Sequence, residues 1–261
     1  METKEKKVPV GNIKSLEVNI TSPIEMNFGK IDFNNLNLYV GQNGSGKSLI
    51  LKTSWICNLL GQYYAIEQQG YKGIDFEKEC TFLFDHTFDA NNFEGKIECV
   101  FENAEISITL NNGKCTNIIF ATFKSLEQSN LPIFMSKDMR TIDNMVTYMK
   151  TKKLLGITND IFSSDKTQLE KILQMYKIYD VMFVEQFLSK ANGYRVTKEL
   201  QDALDKYESR ELKLTAIHVD TVACTIKDVD SVTNKITDLS TLSGGAQSLI
   251  VMILGNSVLT K

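Results

Sequence analysis

Residues 36–52 read LNLYVGQNGSGKSLILK. Within them, Gly41 to Ser48 match the spacing G-x-x-x-x-G-K-[ST], a glycine-rich turn joining a strand to a helix. The flanks fit that context. Residues 36–40 alternate and are rich in β-prone side chains, which predicts a strand feeding the turn. Residues 49–60, LILKTSWICNLL, carry apolar side chains at helical spacing with no breaker, which predicts a helix starting at about Lys47. The glycines let the backbone bend with its N–H groups facing inward, and the helix start adds a partial positive charge. That combination suits a polyphosphate. The candidate phosphate-binding residues are Asn43, Gly44, Ser45, Gly46, Lys47, Ser48 and Leu49. Lys47 is expected to reach the outer phosphates, and Ser48 to offer its hydroxyl to Mg²⁺.

A second motif stands far downstream. Residues 242–247 read LSGGAQ and open an apolar helical stretch, SLIVMILGNSVL. Alone, a Ser-Gly-Gly turn reads equally as a loop with a helix cap. With the glycine-rich turn ahead of it, the chain resembles the ABC ATPase superfamily, whose signature is LSGG(Q). It is most similar to the soluble branch that includes SMC proteins, DNA-repair ATPases and AAA-like ATPases of the overlapping-old-locus type. The openings are alike: IKSLEVNITSPIEMNFGKIDFNNLNLYVGQNGSGKS runs from a strand through a linker to the phosphate turn. The approach ITDLSTLSGGAQSLI is also similar to that branch. The separation of the two motifs, residues 49–241, is longer than a compact transporter domain of the superfamily shows.

The resemblance implies ATP and Mg²⁺ as cofactors and a head-to-tail dimer. Ser243, Gly244 and Gly245 would contact the nucleotide held by another protomer, either a second copy or a related ATPase chain. It also implies a strand ending in Asp-Glu about one helix after the signature, yet no acidic residue follows Asp238. The expectation is a head lacking that Walker B region and hydrolysing slowly by itself, for want of a carboxylate to activate water. Three readings stay open: one half of a split ATPase, a protein using ATP as a glue, or a site completed by a partner polypeptide that supplies the strand. The alternative from another class is a non-catalytic structural or interaction subunit. Val181–Glu185 ends an apolar run in an acid, but its surroundings, residues 168–188, read as helix.

Between the motifs, residues 94–123 alternate, and Asn112-Gly113 predicts a hairpin turn within an antiparallel β-subdomain. LPIFMSK at 131–137 reads as a short buried strand. By resemblance, a glutamine near such a strand meets Mg²⁺; Gln128 is the nearest candidate, although it precedes the strand. Residues 138–210 read as helical, with Asp165 opening one capped helix and Thr197 another. Ile217–Asp220 suits a hairpin before the signature. No heptad pattern or internal repeat stands out, which excludes a long coiled coil.

The fold expected is thus α/β, a P-loop ABC ATPase head with an antiparallel β-subdomain and a helical subdomain, C-terminally incomplete. Its parts are a nucleotide-binding lobe at 1–137, a helical subdomain at 138–213, and a hairpin, signature and helix at 214–261. The formal charge of −3 exerts no general pull on nucleic acid, and Lys150, Lys152 and Lys153 read as a solvated helix end rather than a DNA contact. Five dispersed cysteines and two histidines fit a reduced compartment better than disulfides or a zinc site. The polar N-terminus lacks the apolar core of a signal peptide, and no run approaches the ~18 apolar residues of a membrane span. A cytoplasmic location is expected.

Overall fold

The computed structural model describes residues 7–22, 25–34, 37, 39–40, 42, 44–88, 92–123, 125–128, 132, 134–136, 138–157, 161–162, 166–207 and 213–259; it describes no side chain at 199, 200, 203, 204, 207 or 256–259. It is a mixed α/β structure in two compact units, Met1–Pro132 and Ile133–Lys261. Residues 214–261 therefore pack in one unit with 138–213.

The first unit is built on a five-stranded antiparallel sheet. Its strands are β2 (Ile13–Ser22), β3 (Met26–Asp32), β4 (Glu94–Phe101), β5 (Ala104–Asn111) and β6 (Lys114–Thr122), in the order β3-β2-β4-β5-β6. Alternation decides which side is dry. Leu16, Val18 and Ile20 on β2, Ile97, Cys99 and Phe101 on β4, and Ile106, Ile108 and Leu110 on β5 are buried. The β5–β6 hairpin turns where the sequence indicates. Asn112 and Gly113 have φ of 49° and 72°, and Asn111 pairs with Lys114. That is the left-handed geometry an Asn-Gly turn supplies.

Helix α1 (Lys47–Gln68) contacts β2 and β5 of this sheet. Ile56, Leu59 and Leu60 are fully buried, worth about 1.5–3 kcal/mol each. Helix α2 (Phe76–Thr87) starts at Asp75, whose carboxylate accepts from the Lys78 amide, and packs on β6. Tyr64, Phe76 and Phe120 join α1, α2 and β6, with Tyr64 and Phe120 stacked at 4.3 Å between centroids. A two-residue parallel pair, β1 (Val8–Pro9) with β7 (Leu126–Glu127), lies beside α1.

Two strand expectations change. Of the segment ahead of the glycine-rich turn, residues 37, 39 and 40 belong to no strand; of the segment at 131–137, residues 132 and 134–136 belong to none and are not buried. The first was expected to be a strand feeding the turn, and the second a short buried strand fitting a parallel core sheet. A strand exists only through its neighbours, and among the described residues the single parallel pairing is β1 with β7. An apolar, β-prone segment without a partner stays irregular.

The second unit packs α3 (Ile142–Leu154), α4 (Lys166–Leu173), α5 (Ile178–Ala191), α6 (Lys198–Tyr207) and α7 (Gly244–Leu259) with a three-stranded antiparallel sheet. The sheet's strands are β8 (Ile217–Asp220), β9 (Thr225–Asp230) and β10 (Lys235–Asp238). The hairpin before the signature is present as two consecutive turns. Helix α6 begins directly after Thr197; Asp165 lies outside the described residues. The continuous helix read over 168–188 is instead broken at 174–177. The break turns Tyr176 onto Tyr148 and Thr151 and lets nearly all of α5 face the core, a tertiary gain that overrides local propensity. Val181–Glu185 is helical, and Glu185 accepts hydrogen bonds from Lys152 and Tyr148, each at 2.7 Å. Lys153 donates to the Val222 carbonyl at 2.8 Å. Two of the three lysines at the end of α3 are thus bound within the fold.

Candidate functional site: a glycine-rich helix start and a Ser-Gly-Gly turn

Gly44 and Gly46 have φ of 82° and 80°, the left-handed region that disfavours side chains. They bend the chain into the first turn of α1, where Ile50 donates to the Gly46 carbonyl and Ser45 to the Gln42 carbonyl. The amides of Ser48 and Leu49 have no acceptor within the helix, as at any helix start. No acidic side chain occupies that first turn and no side chain caps it, so its positive end is uncompensated within the helix. The Lys47 ammonium folds over the turn, donating to the Gln42 carbonyl at 2.6 Å and the Ser45 hydroxyl at 3.1 Å. Ser48 is exposed and Leu49 is buried. Gly46 is required for a second reason: a Cβ there would stand 2.0 Å from Phe28 Cζ on β3. Asn43 and Gly41 lie outside the described residues.

Gln128 does not join this group. It is exposed and directly follows β7 rather than preceding a strand. The Leu126 amide is held by the Gln68 side chain at the far end of α1, 2.9 Å away. Ser48 lies twenty residues earlier on that helix, roughly 30 Å along its axis. Nothing among the described residues places the Gln128 side chain beside Ser48. Trp55 Nε1 on α1 donates to the Pro132 carbonyl at 3.2 Å.

The Ser-Gly-Gly turn lies in the second unit. A 3₁₀ turn, Leu239–Thr241, is capped by Asp238, which accepts from the Ser240 amide at 2.9 Å and hydroxyl at 2.8 Å. Ser243 then caps α7, its hydroxyl accepting from the Ala246 amide at 3.3 Å. Ser243, Gly244 and Gly245 are exposed. Unlike Gly46, neither Gly244 nor Gly245 has a left-handed φ, and a Cβ added to either would meet nothing within 4 Å. Nothing inside the described chain requires glycine at these two positions.

Sequence reasoning missed Gln247. It is 5% exposed and makes three hydrogen bonds. Its Nε2 donates to the carbonyls of Ser240 (2.9 Å) and Leu242 (2.8 Å), and its Oε1 accepts from the Asp143 amide (2.9 Å). The signal was its position one turn into an apolar helix, where a polar side chain requires partners.

Among the described residues no group of three or more His, Cys, Asp or Glu side chains is placed to hold a metal ion, and no helix is long and apolar enough to cross a membrane. All five cysteines are buried and unbridged. Burial and the neighbouring Cys57 thiol push the Cys99 thiol up, and the Cys115 thiol and burial do the same to Cys80. No protein-family model matches the chain, and neither does any curated protein.

Proposed function

We propose that the chain is an ABC-type ATPase-like protein of the soluble branch, which binds ATP with Mg²⁺ through residues 41–48 and associates through its Ser-Gly-Gly turn. The observation carrying this reading is the turn at Gly44 and Gly46, which brings Lys47 and an uncapped helix start into one small region. A triphosphate offers acceptors for those amides and for the ammonium, which would exchange the Gln42 carbonyl for phosphate oxygens. Ser48 is exposed on the same turn and suits a cation that arrives on the phosphates. Mg²⁺ keeps several waters and needs few protein ligands, so one hydroxyl and the phosphates suffice to hold it. The proposal assigns Gln128 no role.

Gly244 and Gly245 support the second half of the proposal. Glycine is a weak helix former, at about 1 kcal/mol against alanine in a helix interior and less in the first turn. Since no neighbour in the chain demands that cost, a group from outside approaching the backbone accounts for it. In the proposed dimer that group is the nucleotide of another protomer, a second copy or a related chain. Hydrolysis is assigned to none of these residues.

The rival is a structural subunit indifferent to nucleotide. It is favoured by the absence of strand pairing at residues 37, 39 and 40, where an ATPase head of this class carries a core strand. Titration with fluorescent ATP and Mg²⁺ separates the two. The expected result is saturable binding that Lys47→Ala weakens at least tenfold, with ATP shifting the protein toward dimer in light scattering. Equal binding by wild type and Lys47→Ala, or none by either, leaves the structural subunit.

A further inference from the structure

Gln247 is a buried side chain whose whole amide is engaged on either side of one turn. Both Nε2 protons are used, on the carbonyls of Ser240 and Leu242, and Oε1 takes the Asp143 amide. The two carbonyls flank Thr241 and lie immediately ahead of Ser243, so the donations fix the path along which the chain enters the Ser-Gly-Gly turn. Asp143 lies in the first turn of α3, which starts after the cap residue Thr141, and its amide is one of the donors that a helix start leaves without an acceptor. A single planar group therefore clips the turn to the N-terminus of α3. Only one orientation of the amide serves three such partners, since carbonyls need its N–H groups and an amide N–H needs its oxygen. An aliphatic replacement would leave two buried carbonyls and one buried N–H to find other partners. The exposed surface at stake comprises Ser243, Gly244 and Gly245, three residues without long side chains to adjust by rotation. Their geometry toward a partner is a matter of backbone placement alone.

We infer that Gln247 is a positioning residue for nucleotide-driven association, holding the Ser243–Gly245 turn against α3 in the conformation that meets a partner. This rests on the proposed ATP-dependent dimer. It gives α3 a role as a lever: a displacement of its N-terminus moves the turn, because the clip spans both.

The test compares ATP-driven association of the full chain by analytical ultracentrifugation for wild type, Gln247→Leu and Ile250→Val. Ile250 is fully buried on the same helix but outside the clip, so its variant reports the effect of weakened packing alone. Each protein is measured well below its own melting temperature. ATP affinity of the monomer, read by fluorescence under dilute conditions, is the internal reference. The expected result is a rise of at least tenfold in the dimer dissociation constant in Gln247→Leu, with Ile250→Val close to wild type. If Gln247→Leu does not fold, Gln247→Glu replaces it; the carboxylate keeps the Asp143 contact, loses both donations and is expected to weaken association likewise. Unaltered association in the Gln247 variant, or equal weakening in Ile250→Val, overturns the inference and leaves the dimer standing. A wild type that binds ATP but stays monomeric overturns the dimer, and the positioning role falls with it.

Discussion

Glycine serves two different purposes in this chain, and substitutions separate them. At Gly46 the fold itself excludes a side chain, through a left-handed φ and through the Phe28 ring. Gly46→Ala is therefore expected to destabilise the protein by more than the ~1–2 kcal/mol of left-handed strain alone. Gly44→Ala, where φ is 82° but the space is open, should show the strain without the clash. Urea denaturation measures both, and Phe28→Ala should recover part of the Gly46→Ala loss in a double-mutant cycle but none of the Gly44→Ala loss. Gly244 and Gly245 should behave in the opposite sense. Alanine at either is expected to hold or raise stability by up to about 1 kcal/mol, because helix propensity improves and no neighbour objects. The same variants should lose ATP-driven association in light scattering. If they associate normally, the glycines have no partner-facing purpose.

Among the elements, the two hairpin turns of the second unit repeat one device. Asp220 accepts from the amides of Val222 and Ala223, and Asp230 from those of Val232 and Thr233. Each turn ends in a left-handed residue, Cys224 with φ 53° and Asn234 with φ 54°. The Ala223 amide contributes most to holding the Asp220 carboxyl below its usual value, and the Thr233 side chain does so for Asp230. A depressed folded value means that turn order is present above the unfolded value of about 3.9 and is lost as pH falls through the folded one. The amide shifts of Val222, Ala223, Val232 and Thr233 should therefore hold steady down to about pH 4 and move below it. Asp220→Asn and Asp230→Asn should flatten that response, since an amide oxygen accepts without titrating; a wild-type profile in these variants would refute the cause. Such elements were partly legible in advance. Asn112-Gly113 located its hairpin to the residue, because a two-residue turn has almost no other chemistry. The helix break at 174–177 was not legible: it contains neither glycine nor proline, and only the packing of Tyr176 accounts for it.

At the scale of the whole molecule, local signals located the site better than they located its surroundings. The start of α1 follows from the spacing of Gly44, Gly46 and Lys47, which is fixed by short-range backbone geometry. Residues 36–40 and 131–137 misled because their apolar character specifies burial without naming a partner, and pairing depends on chain far away in sequence. The place of Gln128 depends in the same way on where β7 lies along α1, which no local signal states. The two motifs belong to separate compact units, Met1–Pro132 and Ile133–Lys261, and that division makes the proposed function separable by concentration. On the proposed function, binding within one chain would engage the first unit and association would add the second. Hydrogen exchange with ATP and Mg²⁺ at a protein concentration too low for dimers should protect amides at 44–50 and leave 243–247 unchanged. Raising the protein concentration at saturating nucleotide should then protect 243–247 as well, in proportion to the dimer present. Lys47→Ala should abolish both changes. Protection at 243–247 that is complete in the dilute monomer would show that the turn meets nucleotide within its own chain, and the head-to-tail arrangement would be wrong.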